Sequence, residues 1–299
     1  MSCRTLFPSR TPPRHKPHHQ RYLLFNYTWD TLVPTTKQKL KWNTRIVLNH
    51  MGLFGYLRLG IQRIFRKPHE YDFELFRHFS GDDGLFLDIG ANIGQSAISF
   101  AAFNKNSPII SFEPNQMLSK YLKFVKFLLG KRFSYFELGA GKIGADYRFY
   151  VPVVNGVSLD QEGTIDKSVL TDDQVTRNRI CEATGSYEYQ ISEREVKIIN
   201  IDSMNLAPMF VKIDVQGHEV AAIEGMKNTL LAHQPLVMVE NGVLRKQYEP
   251  VLTSYGYEPF MYDSAKDMLV PVTKANEPLN VFYVPTGKVQ DFRNKKILK

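Results

Sequence analysis

A glycine-punctuated turn near residue 90 has the residue types of a nucleoside site. The apolar run LFLDIG ends in Asp88-Ile-Gly90-Ala-Asn92-Ile-Gly94, and SAISFAAFN then opens a predicted helix. In doubly wound sheets the turn after the first strand holds a nucleotide-type ligand. A dinucleotide fingerprint has a glycine where Asn92 stands, because a side chain there obstructs the approach of a pyrophosphate. The turn therefore indicates a nucleoside ligand that lacks a pyrophosphate.

A carboxylate follows the second predicted strand. The segment PIISFEP places Glu113 nineteen residues after Gly94, about the distance at which an acid on the second strand reaches a ribose. A carboxylate can accept two hydrogen bonds from a diol. An adenosyl ligand that carries a sulfonium in place of a pyrophosphate satisfies both conditions.

A second polar turn follows a later buried strand, in the segment VKIDVQGHE at residues 211–219. The two-residue period of a strand places Lys212 and Asp214 on one face. The following residues, Gln216 to Glu219, form a turn at the ligand-binding edge of the sheet.

The elements around these turns alternate between candidate strands and candidate helices. The predicted strands are 85–90, 108–114, 133–140, 147–153, 195–202, 210–215 and 235–241, and helical spacing marks 116–130 and the residues after His218. Such an order specifies a parallel sheet with crossover helices. The C-terminal segments YEPFMYD, DMLVPV and NVFYVP indicate further β-structure with an antiparallel hairpin.

Five segments resemble the FkbM family of class I S-adenosylmethionine-dependent methyltransferases. They are FLDIGANIGQSAISFA, SFEPN, FVKIDVQGHEVAAIEGM, PLVMVEN and NVFYVP, and the resemblance covers roughly residues 70 to 285. It implies an α/β fold: a doubly wound, mostly parallel, seven-stranded Rossmann-like sheet with a C-terminal antiparallel hairpin. It also implies transfer of a methyl group from S-adenosyl-L-methionine to a hydroxyl, often on a sugar, a glycan or a natural product.

The resemblance assigns roles to residues that match the motifs of the family. Asp88, Gly90, Asn92 and Gly94 match the cofactor turn, and Glu113 matches the acid that binds both ribose hydroxyls.

Methyl transfer also requires a group that orients the acceptor hydroxyl or takes its proton. Asp214 and His218 are the candidates, although a buried aspartate at a strand end is often structural. The family usually has Glu at the position of Gln216, so a carboxylate metal ligand is not expected there, and no metal is predicted.

The acceptor site is the least determined part of the sequence. Residues 155–194 form a long polar segment, interpreted as either an acceptor-binding lid or a mobile surface insertion. Tyr187 and Tyr189 in this segment can stack on a sugar or a ring. Asn241, which closes the strand PLVMVEN, points to the ligand edge and is a further candidate for acceptor contact.

The positive charge of the chain is concentrated at its N-terminus. Residues 1–70 contain 13 Lys or Arg against two acids, whereas the remainder contains 25 against 28. A nucleic-acid partner is therefore not expected for the body of the protein. We predict a disordered basic tail over 1–34, a helical extension over 35–69 and the methyltransferase domain over 70–299.

The helical extension contains the basic amphipathic segment GLFGYLRLGIQRIFRK. Its apolar positions are expected to pack on the neighbouring domain and leave the arginines in water. The alternative is a peripheral membrane contact through residues 53–66.

Two cysteines, Cys3 and Cys181, argue against a disulfide framework and are compatible with a reducing compartment. A cytoplasmic location is predicted, with peripheral membrane association or organelle targeting as alternatives, and the oligomeric state is open. An alternative to the enzyme is a non-catalytic adenosyl-binding or scaffold module whose basic N-terminal helix binds a membrane or a partner. A nicotinamide-dependent oxidoreductase is disfavoured by Asn92.

Overall fold

The computed structural model describes residues 53–242, 244–273 and 278–299. Its main sheet has eight strands in the order β11-β10-β12-β9-β8-β1-β2-β3. These strands are β1 (Leu85–Ile89), β2 (Ile109–Phe112), β3 (Phe133–Phe136), β8 (Pro208–Ile213), β9 (Leu236–Glu240), β10 (Tyr257–Asp263), β11 (Met268–Pro271) and β12 (Asn280–Pro285).

The predicted strand number of this sheet is wrong, whereas its α/β class is confirmed. Strands β3, β2, β1, β8 and β9 pair in parallel. Strand β12 pairs antiparallel with both β9 and β10, so β10 runs in the direction of the parallel strands, and β11 pairs antiparallel with β10. The eighth strand is β11, formed by the predicted β-segment DMLVPV. It pairs with β10 at the edge of the sheet, so the mixed sheet is one strand wider than the seven-stranded expectation.

Helices connect the strands and cover the faces of the sheet. They are α1 (Leu53–Phe65), α2 (Gln95–Phe103), α3 (Ser119–Leu129), α4 (Lys167–Thr171), α5 (Gln174–Thr184), α6 (Glu219–Glu224), α7 (Lys227–His233), α8 (Arg245–Ser254) and α9 (Val289–Asn294). In β1 the side chains alternate between the two faces: Phe86 packs against the Phe100 ring of α2, with centroids 4.1 Å apart, and Leu87 joins the core on the other face. Burial on both faces fixes β1 at the centre of the sheet.

A second, four-stranded sheet lies in the order β4-β7-β5-β6. Its strands are β4 (Gly139–Ala140), β5 (Ala145–Val154), β6 (Val157–Ser158) and β7 (Gln190–Ile199). The strand predicted over 133–140 is therefore two strands in different sheets. The polar segment between β5 and β7 carries β6, α4 and α5, and the Asp166 and Asp173 side chains cap the two helices by accepting backbone N–H bonds.

The predicted packing of the N-terminal helix is wrong, because α1 packs through another face. Gly55, Leu59 and Gln62 are buried, and Gln62 Nε2 donates to Ser99 Oγ across 3.0 Å. The apolar positions Leu57, Ile61, Ile64 and Phe65, expected to pack, are exposed. The small Gly55 accounts for this choice, since it lets the helix approach the Tyr121 ring closely. The predicted tail over 1–34 and the extension up to residue 52 lie outside the described residues.

Candidate active site

Four parallel strands end side by side at one edge of the main sheet. Gly90, Glu113 and Asp214 directly follow β1, β2 and β8, and Glu240 is the last residue of β9. In an open α/β sheet this edge is where ligands bind. A cavity of about 70 Å³ lies there, and its lining includes five predicted site residues, namely Gly90, Asn92, Glu113, Asp214 and His218.

The two glycines of the turn are required by packing. Gly90 has φ +85°, and a Cβ there would lie 1.8 Å from the Asp214 carbonyl oxygen. Gly94 has φ +90°, and a Cβ there would lie 2.7 Å from Val125 Cγ2 of α3. The glycines therefore let the turn pack on the end of β8 and on α3 whether or not a ligand is present.

Asn92 and Glu113 are joined by a hydrogen bond across two strand ends. Asn92 also has positive φ, +54°, a conformation that Asn tolerates better than most residues. Its backbone N–H donates to Glu113 Oε2 across 2.8 Å, and the backbone N–H of Asn115 donates to Glu113 Oε1 across 2.8 Å. Burial raises the pKa of Glu113 to about 7, although both hydrogen bonds favour its ionised form. Each oxygen keeps a further lone pair for a ligand hydroxyl.

Asp88 lies beneath the turn and does not line the cavity. It is fully buried, and its Oδ2 accepts a hydrogen bond from Ser111 Oγ across 2.9 Å. Burial raises the pKa of Asp88 to about 6, although nearby Lys212 favours the carboxylate. Asp88 Oδ1 has no hydrogen-bond partner among the described residues. The side chain thus supports the turn from below.

Asp214 belongs to a buried network at the ends of β8 and β9. Lys212 Nζ donates to Asp214 Oδ2 across 2.9 Å. The Gln216 amide donates from Nε2 to both Asp214 Oδ1, at 3.0 Å, and Glu240 Oε2, at 3.1 Å. Gln216 is thus a neutral hydrogen-bond donor between two carboxyl groups. A glutamate at position 216 would place a third carboxyl group there instead.

The two carboxyl groups of this network differ in protonation. Burial favours the neutral form of Asp214, but the Lys212 ammonium outweighs it and holds the pKa of Asp214 below its ordinary value. The negative charge of Asp214, together with burial, raises the pKa of Glu240 well above its ordinary value. Asp214 is therefore the more acidic of the two carboxyl groups, and Glu240 keeps its proton to higher pH. The sequence places Glu240 beside Asn241 at the ligand end of its strand but assigns it no role; the pairing of its strand with that of Asp214 brings the two carboxyl groups together.

His218 lines the same cavity from the turn before α6. Burial lowers its pKa, so the imidazole is neutral at neutral pH. Its Nε2 is buried and has no hydrogen-bond partner in the described part of the chain. The Tyr147 ring of β5 meets it edge-on, with centroids 6.1 Å apart. A neutral, unpartnered imidazole is suited to proton transfer.

Residues 158–165, which we call the strap, cross the cavity between the second sheet and the strand ends. Arg194 Nη1 donates to Asp160 Oδ1 across 2.6 Å, and Asn115 Nδ2 donates to the Asp160 carbonyl across 3.1 Å. Thr164 Oγ1 donates to the carbonyl oxygen of Gln216 across 3.1 Å. Small-molecule sites commonly have volumes of about 300 Å³ or more. The cavity beside the strap has a volume of about 70 Å³, which is well below that range.

The three residues predicted to bind the acceptor lie outside the lining of the cavity. The Tyr187 hydroxyl donates to the Asn178 side chain of α5, and the Tyr189 hydroxyl donates to the carbonyl of Leu170 in α4. Asn241 donates from Nδ2 to the Pro278 carbonyl across 2.9 Å. No group of three or more His, Cys, Asp or Glu side chains within the described ranges is placed to hold a metal ion.

The fold and the site define a doubly wound α/β protein with a partly polar cavity at the carboxyl edge of its parallel strands. The family model described as "Methyltransferase FkbM domain" matches residues 88–259, more than half of the chain. The chain therefore belongs to the FkbM methyltransferase family, as its motifs predicted.

Solved structures of methyltransferases are similar to the chain at low identity. An FkbM methyltransferase from Methylobacillus flagellatus is 17% identical with a TM-score of 0.44; the match covers 72% of this chain and 48% of that one, about half its length. A putative caffeoyl-CoA O-methyltransferase from Staphylococcus aureus is 11% identical with a TM-score of 0.39, covering 82% and 99%. A TehB-like methyltransferase from Corynebacterium glutamicum is 10% identical with a TM-score of 0.37, covering 77% and 96%. A search of curated proteins finds no match.

Proposed function

We propose that this protein transfers a methyl group from S-adenosyl-L-methionine to a hydroxyl of a sugar, a glycan or a natural product. Two kinds of polar group that such a transfer requires line the same cavity, and this observation is the main support for the proposal. Glu113 presents carboxylate oxygens suited to a ribose diol, and His218 and Asp214 present groups suited to a hydroxyl.

The residues of the cavity fit an adenosyl ligand in their chemistry. Glu113 would hold the ribose hydroxyls, and the buried Asn92 Oδ1, which has no partner among the described residues, is available to a ligand donor. Leu118, Phe149 and Ile198 provide apolar lining for a flat ring. When bound there, S-adenosyl-L-methionine supplies the electrophilic methyl carbon.

The pKa shifts of Asp214 and His218 suit the two side chains to different roles. A general base acts best when its pKa is near the working pH. The pKa of Asp214 is held low by Lys212, so Asp214 is a weak base and is suited to orient the acceptor hydroxyl by accepting its hydrogen bond. His218 is neutral, so its free nitrogen takes the hydroxyl proton as the oxygen attacks the methyl carbon. Because Glu240 keeps its proton to higher pH than Asp214 does, it limits the negative charge beside Asp214.

The test is methyl transfer by the full chain with radiolabelled S-adenosyl-L-methionine and a panel of sugars, phenols and lipid alcohols. With an active acceptor, His218→Ala and Asp214→Asn are expected to lower kcat at least about 100-fold. The control is His233→Ala, because His233 is exposed at the end of α7. Binding of S-adenosylhomocysteine without transfer to any acceptor in the panel would favour a non-catalytic adenosyl-binding module.

A further inference from the structure

Helix α1 carries a continuous apolar stripe on the side that faces away from the domain. Leu57, Ile61, Ile64 and Phe65 are 51%, 55%, 75% and 72% exposed. The first three follow the i, i+4, i+7 spacing that aligns side chains along one side of a helix. Single exposed apolar residues are normal on protein surfaces, but a contiguous row of large ones marks an interaction surface.

The stripe is bordered by positive charge. At about 100° per residue, Arg58 lies directly beside the stripe next to Phe65, whereas Arg63 lies on the other side, roughly 100° around the helix from Ile64. Arg66 and Lys67 follow the end of the helix. The sequence has no acidic residue between Asp30 and Glu70.

Helix α3, which neighbours α1, adds further positive charge. Helix α3 packs beside α1 through the ring contacts of Tyr56 with Tyr121 and Phe124, 5.0 and 5.2 Å between centroids. Helix α3 contributes Lys120, Lys123 and Lys126, and neither α2 nor α3 contains an acid. Phe127 of α3 is itself 80% exposed. The stripe is therefore apolar, and the charged side chains of α1 and of the adjacent α3 are all basic.

We propose that α1 lies on the surface of an anionic membrane, with Leu57, Ile61, Ile64 and Phe65 inserted at the level of the lipid headgroups and upper acyl chains. Cationic flanks around an apolar face are the arrangement that binds such a surface. The charge favours this occupant over a second copy of the chain, because two copies would bring their cationic flanks together. None of the described helices is long and apolar enough to cross a bilayer.

Membrane binding by α1 is expected to depend on the charge of the lipid and on the salt concentration. Each Lys or Arg near an anionic leaflet contributes about 1 kcal/mol, which is about fivefold in affinity. The full chain is therefore expected to sediment with vesicles of 70% phosphatidylcholine and 30% phosphatidylserine. Binding to pure phosphatidylcholine vesicles is expected to be far weaker, and added salt should weaken binding to the anionic vesicles.

Matched variants test the stripe and its flanks separately. Ile64→Ser is expected to lower vesicle affinity at least about fivefold, because it removes apolar area from the interface. The control is Ile143→Ser, the same substitution at a residue that is 67% exposed on the turn between β4 and β5. Arg63→Gln is expected to lower affinity about fivefold, and Lys246→Gln, on exposed Lys246 of α8, should not.

Two outcomes would overturn the proposal. One is that the wild-type chain fails to bind the anionic vesicles; a dimer in light scattering that Ile64→Ser dissociates would then assign the stripe to a second copy. The other is that Ile64→Ser and Ile143→Ser bind equally well. Circular dichroism and S-adenosylhomocysteine binding of each variant show whether its fold is intact.

Discussion

The backbone N–H of Asn92 donates a hydrogen bond to Glu113 Oε2 across 2.8 Å, so the glycine turn and the acid after the second strand form one unit. The same carboxyl group accepts from the Asn115 N–H on its other oxygen. Both bonds require an acceptor, and together they hold the Glu113 side chain at the cavity with its remaining lone pairs available.

Glu113→Gln is expected to weaken the binding of S-adenosylhomocysteine roughly 10-fold to 100-fold. The amide side chain has one acceptor oxygen, so its NH₂ group would face the N–H of either Asn92 or Asn115, and a hydrogen bond from a ribose hydroxyl to a charged group would be lost. Titration calorimetry on the full chain measures the change. Glu195→Gln, at an exposed site on β7, is the control, and equal affinities for the two variants would contradict the assignment.

Gly90→Ala is expected to destabilise the fold by more than about 3 kcal/mol, because it combines positive φ with a backbone clash. Its Cβ would lie 1.8 Å from the Asp214 carbonyl oxygen, which is fixed in the chain. Gly130→Ala isolates the conformational part, since Gly130 has φ +62° and open space around its Cβ position. We expect about 1 kcal/mol for that variant. Urea unfolding of both compares the two effects, and similar losses would show that the clash is relieved.

Arg194→Gln is expected to speed the dissociation of S-adenosylhomocysteine about fivefold. Arg194 contacts Asp160, Asn115 and Ser158, and so fastens the strap to the second sheet. The Arg194 and Asp160 side chains are 27% and 20% exposed, so the ion pair is expected to contribute only about 1 kcal/mol. Stopped-flow fluorescence gives the rate constants.

Arg148→Gln is the control for the strap. Arg148 also forms an ion pair with a carboxylate, Glu193, but it is 73% exposed. It projects from the opposite face of the second sheet, because Arg194 is paired with the next residue, Phe149. If the two variants released the ligand at equal rates, the strap would not control ligand access through Arg194.

The sequence predicted those strands of the sheet whose apolar runs reflect burial on both faces. The segments around Asp88 and Asp214 are buried on both faces, and their apolar runs are diagnostic of parallel strands. The segment 133–140 was harder to interpret, because its apolar run continues across two strands that belong to different sheets.

The parts that the sequence did not predict depend on contacts between distant residues. The face by which α1 packs is chosen by Gly55 and Gln62, which fit against α3 and α2, and the helical period cannot show this because larger apolar residues dominate it. Glu240 interacts with Gln216, twenty-four residues earlier in the chain, and with Asp214 on the adjacent strand. The positions of Tyr187 and Tyr189 depend on how the polar segment folds into α4 and α5.

Asp72→Asn is expected to stabilise the fold at pH 8 and to have little effect at pH 4. Asp72 is fully buried; its Oδ2 accepts from Asn280 Nδ2 across 2.8 Å, and its Oδ1 has no partner in the described residues. Burial raises the pKa of Asp72 to about 8, and the neighbouring Glu70 raises it further against the hydrogen bond from Asn280. The folded chain therefore keeps a proton that the unfolded chain releases near pH 4.

The sign of the effect follows from this difference in bound protons. Below about pH 4 both states hold the proton, so Asp72 and an amide differ little. Between about pH 4 and the folded pKa of about 8 only the unfolded chain ionises, so rising pH favours unfolding of the wild type. An amide keeps an acceptor for Asn280 and does not titrate. The stability gain of Asp72→Asn over wild type should thus be at least about 1 kcal/mol larger at pH 8 than at pH 4. Thermal unfolding at both pH values, with exposed Asp83→Asn as the control, measures it; a gain independent of pH would show that Asp72 is ionised in the folded protein.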